Sequence, residues 1–162
     1  AAGEVALQSM PDNVELLVWA TVFAERLGDD AQGQAYGARA RAQFGGDEAR
    51  YQILLGSDRF QAGDLDGAAA AAEIASRLAP DDPQVYFLVG NVAEARGDIR
   101  GAMDAFARAG ELADVDNPQL AVVSKMRYGM LLQQLQIMPD SAFPAPEDAG
   151  ATETPGDVTP TP

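Results

Sequence analysis

Small and apolar positions recur in a fixed register along the chain up to its proline-rich end. Gly-Asp pairs stand at Gly28-Asp29, Gly63-Asp64 and Gly97-Asp98, at spacings of 35 and then 34. Ala6, Ala40, Ala75 and Ala109 follow one another at spacings of 34, 35 and 34. Gly56 and Gly90 are separated by 34, as are Ala68 and Ala102, while Pro11 and Pro80 lie 69 apart, two periods. Several columns keeping one register mark a repeat architecture. Between these columns alanine, leucine, glutamate, glutamine and arginine dominate, strand signals are scarce and no Asn-Gly hairpin turn occurs, so the repeating unit is helical.

Each column has a physical task in a helix-turn-helix pair. Gly28, Gly63 and Gly97 can close a first helix in the left-handed region, which other residues enter only at a cost. The aspartate after each glycine can accept hydrogen bonds from the N–H groups that open the second helix. Gly56, Gly90 and, in the same column, Thr21 leave room for the partner helix, and the alanines do so from the other side. Pro11 and Pro80 stop second helices, and Asn13 and Asp82 can cap the helices that follow. Gly33, Gly37 and Gly45 each cost up to about 1 kcal/mol against alanine, which predicts a loosely held helix over 31–44.

These columns resemble the tetratricopeptide repeat (TPR) family, whose unit of about 34 residues has small residues at its close helix crossing, a Gly-Asp turn and a terminal proline. The best match is Tyr86, Val89, Gly90, Ala93, Gly97, Asp98, Ala102, Phe106 and Ala109. The resemblance covers residues 1 to about 137 and implies an all-α, right-handed solenoid. A partial repeat would span 1–13, full repeats 14–48, 49–82 and 83–116, and a capping helix 118–137.

The resemblance also implies that the first helices line a concave groove and the second helices form an outer wall. The family's groove-facing columns fall on Glu15, Val18, Val22, Glu25 and Arg26 in the first full repeat. In the second they fall on Arg50, Ile53, Ser57, Phe60 and Gln61, and in the third on Gln84, Phe87, Asn91, Glu94 and Ala95. Val122, Met126 and Met130 of the capping helix extend this surface. A groove so lined is largely apolar and suits an amphipathic helix or an extended apolar segment held by a few buried anchors, with Phe60 and Phe87 as candidate hot spots. The same side chains would serve equally in packing between neighbouring helices. Some family members grip a C-terminal carboxylate with cations in the groove. Here those columns hold Val18, Ile53 and Phe87, and the single lysine is Lys125, so that mode is not expected. The implied function is a non-catalytic scaffold binding a protein or peptide in an assembly or maturation complex. The alternative is the terminal part of a larger subunit, packed permanently in a multiprotein complex that could be membrane-associated.

Composition narrows the chemistry. There is no histidine and no cysteine, which removes Ser/His and Cys/His nucleophiles, the usual zinc sites, His-ligated haem, iron–sulfur clusters and disulfides. No enzyme activity, metal or cofactor is expected. Eleven Lys+Arg against 25 Asp+Glu leave a net charge of -14, which repels nucleic acid and anionic membrane surfaces. No stretch approaches the roughly 18 apolar residues of a membrane span, so direct insertion is not expected and the compartment stays open. The opening Ala1-Ala2-Gly3 suggests upstream repeats or an anchor, whose cover Val5 and Leu7 would then have lost. Residues 139–162 hold six of the ten prolines and five acids, with no Lys or Arg. Such a segment buries too little apolar surface to offset its ordering entropy, which predicts a disordered acidic Pro/Thr-rich tail.

Two short motifs leave this reading unchanged. Gly45-Gly46-Asp47-Glu48 resembles the start of a diguanylate cyclase signature, yet it falls at a repeat junction between helices and not in an α/β domain. Asp64-Leu65-Asp66-Gly67 resembles part of a calcium loop, yet Ala68 and Ala75 stand where oxygen ligands are required.

Overall fold

The computed structural model describes residues 7–113 and 117–137. Seven helices make up this region: α1 (Val14–Arg26), α2 (Asp30–Gln43), α3 (Glu48–Gln61), α4 (Leu65–Leu78), α5 (Pro83–Ala95), α6 (Ile99–Leu112) and α7 (Pro118–Ile137). Residues 7–9 add a helical turn ahead of α1, and no strand occurs among the described residues. Ala6, Val5, Asp114 and the acidic tail lie outside them.

The turns form as their residues dictate. Gly28, Gly63 and Gly97 take φ of 78°, 80° and 80°. The N–H of the aspartate after each glycine then donates back to the last turn of the first helix, Asp29 to Ala24, Asp64 to Arg59 and Asp98 to Ala93, at 2.9 to 3.0 Å. The same aspartates open the second helices: their carboxylates accept from the N–H groups of Gln32, Gly67 and Gly101 at 3.1, 2.9 and 2.9 Å. Asn13 caps α1 and Asp82 caps α5. Asp47 and Asn117 do the same for α3 and α7, accepting from Arg50 and Leu120. Asp47 thus gives the Gly-Gly-Asp-Glu run a plain structural role.

Helices lie in adjacent pairs, α1 with α2, α3 with α4 and α5 with α6, and α7 runs along α6. The first helices also touch across pairs: α1 meets α3, α3 meets α5, and α5 meets α7. Among the described residues α2 does not reach α4, nor α4 α6. Small residues permit the closest crossings. A Cβ at Gly56 would lie 2.6 Å from Leu88 Cδ2 and 3.1 Å from Ala71 Cβ, and one at Gly90 would lie 2.7 Å from Phe106 Cε1. Ala40, Ala68, Ala75, Ala102 and Ala109 are fully enclosed.

The glycines expected to loosen the helix over 31–44 do not interrupt it. The α2 helix runs unbroken from Asp30 to Gln43. Its Gly33 and Gly37 are buried at contacts, a Cβ on Gly37 standing 2.9 Å from the Tyr51 hydroxyl, while Gly45 lies outside the helix in a turn with φ of 63°. Ion pairs join successive first helices: Arg59 Nη2 meets Glu25 at 2.8 Å, and Arg127 Nη2 meets Glu94 at 2.7 Å. Arg26 Nη1 also donates to the Ala62 carbonyl at 3.0 Å, holding the end of α1 to the end of α3.

Candidate functional site

The first helices α3 and α5 diverge enough, with the start of α7, to leave a hollow of about 430 Å³ between them. Ile53, Ser57, Phe60 and Gln61 line it from α3, Gln84, Phe87, Leu88 and Asn91 from α5, and Asn117 and Leu120 from the entry to α7. The aromatic walls are held from behind. Phe60 rests on the cluster of Ala68, Ala72, Leu88 and Val92. Phe87 meets the enclosed Phe106 edge-on, with centroids 5.6 Å apart at 60°. Each ring is therefore fixed by packing and turns its remaining surface to the hollow, as a binding anchor requires. Ser57 donates to the Ile53 carbonyl at 2.8 Å. The other polar groups are the carboxamides of Gln61, Gln84, Asn91 and Asn117, and no charged side chain lines this space.

Other groove candidates sit elsewhere. Val18 is 0% exposed and Val22 4%, both in the core with Leu17, Ala40, Tyr51 and Leu55, so they brace the α1 contacts and Val18 has no surface to offer. Ile53, 7% exposed, packs with Ala75 and Val85 and gives the hollow only an edge. Glu25, Arg26 and Glu94 are engaged in the joins between first helices. Glu15, Arg50 and Ala95 are exposed. Val122, Met126 and Met130 are exposed on α7, and none of them lines the hollow.

A second hollow of about 310 Å³ lies where α1 faces α3. Trp19, Val22, Phe23 and Arg26 form one wall, and Asp58, Gln61 and Ala62 the other. The Trp19 and Phe23 rings stack at 5.1 Å with an interplanar angle of 10°, and they remain 45% and 48% exposed. Burial lifts the Asp58 carboxyl to about 6, and the neighbouring Glu15 carboxylate adds to the shift. Gln61 borders both hollows, so they adjoin at this residue. Trp19, Phe23 and Asp58 escape the column pattern of the sequence, although the aromatic pair at i and i+4 on one helix was a readable signal.

A larger hollow, about 560 Å³, lies between α4 and α5 and is lined mainly by alanines, valines and the mutually paired Glu73 and Arg77. Among the described residues no group of three or more acids is placed to hold a metal ion. No described helix is long and apolar enough to cross a membrane. Compared with known proteins, the chain matches no family model and no curated protein.

Proposed function

We propose that the chain is a right-handed array of TPR type whose first helices form an inner, protein-binding face, and that it serves as a non-catalytic scaffold in an assembly or maturation complex. The bound element is an apolar peptide or amphipathic helix of a partner. One observation carries the reading: the hollow between α3, α5 and α7 sets two braced aromatic rings beside four neutral carboxamides. Apolar side chains of a partner seat against Phe60 and Phe87, and the carboxamides answer the N–H and C=O groups that accompany them. Supporting it, the first helices touch across pairs while the second helices do not, a pattern that suits first helices on the inside of a curved stack.

The second reading, a subunit end packed permanently in a larger complex, draws on α7. Val122, Met126 and Met130 lie at i, i+4 and i+8 with more than half of each side chain exposed, at 57%, 62% and 61%. The experiment compares two sets of variants in the full-length protein, using whatever co-purifies with the wild type. Ser57→Arg and Asn91→Ala alter the hollow at partly buried positions, and Val122→Asp with Met126→Asp alters α7. Loss of the partner by the first set with unchanged melting supports the groove. Loss only by the second set transfers the interface to α7.

A further inference from the structure

The hollow beside α1 differs from its neighbour in charge and in aromatic geometry. Trp19 and Phe23 stack on each other and each leaves nearly half of its surface exposed, and an open aromatic face attracts cations through the ring quadrupole. Asp58 shares the hollow and makes no ion pair among the described residues, although it is half-buried. Its raised pKa has the same origin: burial and the Glu15 carboxylate act on it, and no cation is paired with it. Arg26 is the one positive group on the wall; its Nη1 is tied to the Ala62 carbonyl, and it forms no ion pair with Asp58 among the described residues. The whole chain, at -14, favours a basic over an acidic visitor. Because Gln61 borders both hollows, one bound segment can occupy them together.

The geometry points to a cation-accepting subsite formed by Trp19, Phe23 and Asp58, and hence to a partner segment that carries a lysine or arginine beside its apolar anchor. The inference rests on the groove reading above and names the partner's chemistry. The ammonium or guanidinium group sits against the aromatic faces and within reach of the Asp58 carboxylate, while the adjoining apolar side chain enters the hollow of Phe60 and Phe87.

Fluorescence anisotropy with short leucine-rich peptides bearing one central Lys, Gln or Glu tests this. The expected order is Lys, then Gln, then Glu, with about tenfold or more between the ends. Asp58→Asn narrows the gap between the Lys and Gln peptides to about threefold, the part left to the aromatic faces, and Trp19→Leu, which keeps apolar bulk without an aromatic face, weakens the Lys peptide alone by about threefold or more. Equal binding of Lys and Glu peptides, or a Lys preference that Asp58→Asn leaves undiminished, overturns the subsite. If Asn91→Ala and Ser57→Arg still weaken all three peptides in that case, the groove reading stands without it. If no peptide binds, both fall. A concentration-dependent dimer abolished by Trp19→Leu would assign the aromatic pair to a second copy and also overturn the proposal.

Discussion

The first helix pair, α1 with α2, and the third, α5 with α6, share a Gly-Asp turn and an aspartate cap but fill their crossings in opposite ways. In the third pair Gly90 on the first helix receives the Phe106 ring of the second. In the first pair the corresponding positions are Thr21 and Gly37: Gly37, Ala72 and Phe106 stand in one column, at spacings of 35 and then 34. The glycine has changed sides. The space over Gly37 is taken by the Tyr51 hydroxyl from α3, so the first pair depends on its neighbour to complete its packing. A crossing needs one small residue, and either helix can supply it.

The largest expected effect tests the filled side. Phe106 is fully enclosed, so Phe106→Ala should lower stability in urea by about 3–5 kcal/mol. Next come the two glycines. Gly90→Ala places a Cβ within 2.7 to 2.9 Å of three atoms of the Phe106 ring, a confined group, and should cost about 1–3 kcal/mol. Gly37→Ala comes too close to one atom alone, the Tyr51 hydroxyl at 2.9 Å, with Thr21 at ordinary contact distance; it gains helix propensity and should cost less than about 1 kcal/mol, an effect that Tyr51→Phe should remove. Equal costs at Gly37 and Gly90 would break the comparison. The shared feature gives a smaller, matched pair: Asp29→Ala and Asp98→Ala should each cost about 1 kcal/mol, and unequal losses would show that the two turns are not equivalent.

The smallest effect is a gain. The folded state holds the Asp58 carboxyl near 6, above its ordinary 3.8. Folding therefore favours the protonated acid, and the stability present below the ordinary value is lost as pH rises through the folded one. After discounting for solvent screening at a half-exposed site, Asp58→Asn should stabilise the protein by several tenths to about 1 kcal/mol near pH 7. Melting curves of the two proteins should converge near pH 3.

The turns and caps were legible because they depend on local demands: a positive φ at Gly28, Gly63 and Gly97, and an acceptor at Asp29, Asp64 and Asp98. The small-residue columns at Gly56 and Gly90 were legible for a similar reason, since little else fits beneath Leu88 and Phe106. The surface was less so. Ser57, Phe60, Phe87 and Asn91 do converge on one hollow, whereas Val18 and Val22, from equivalent columns, are enclosed. Column position sets the direction of a side chain, but exposure depends on how closely the next helix approaches. The same dependence hid Trp19, Phe23 and Asp58, whose setting exists only where α1 and α3 face each other. Propensity marks Gly33 and Gly37 as costly in a helix but cannot show the Glu25 and Tyr51 side chains that occupy the space above them.

Amide chemical-shift mapping with the leucine-rich peptide bearing Gln tests the central claim most directly, namely that the inner face of the first helices receives a partner. Shifts concentrated at Ser57, Gln61, Phe87 and Asn91, with α4 and α6 unmoved, are predicted. Shifts concentrated on α4 and α6 instead, with the α3 and α5 positions unmoved, would contradict it.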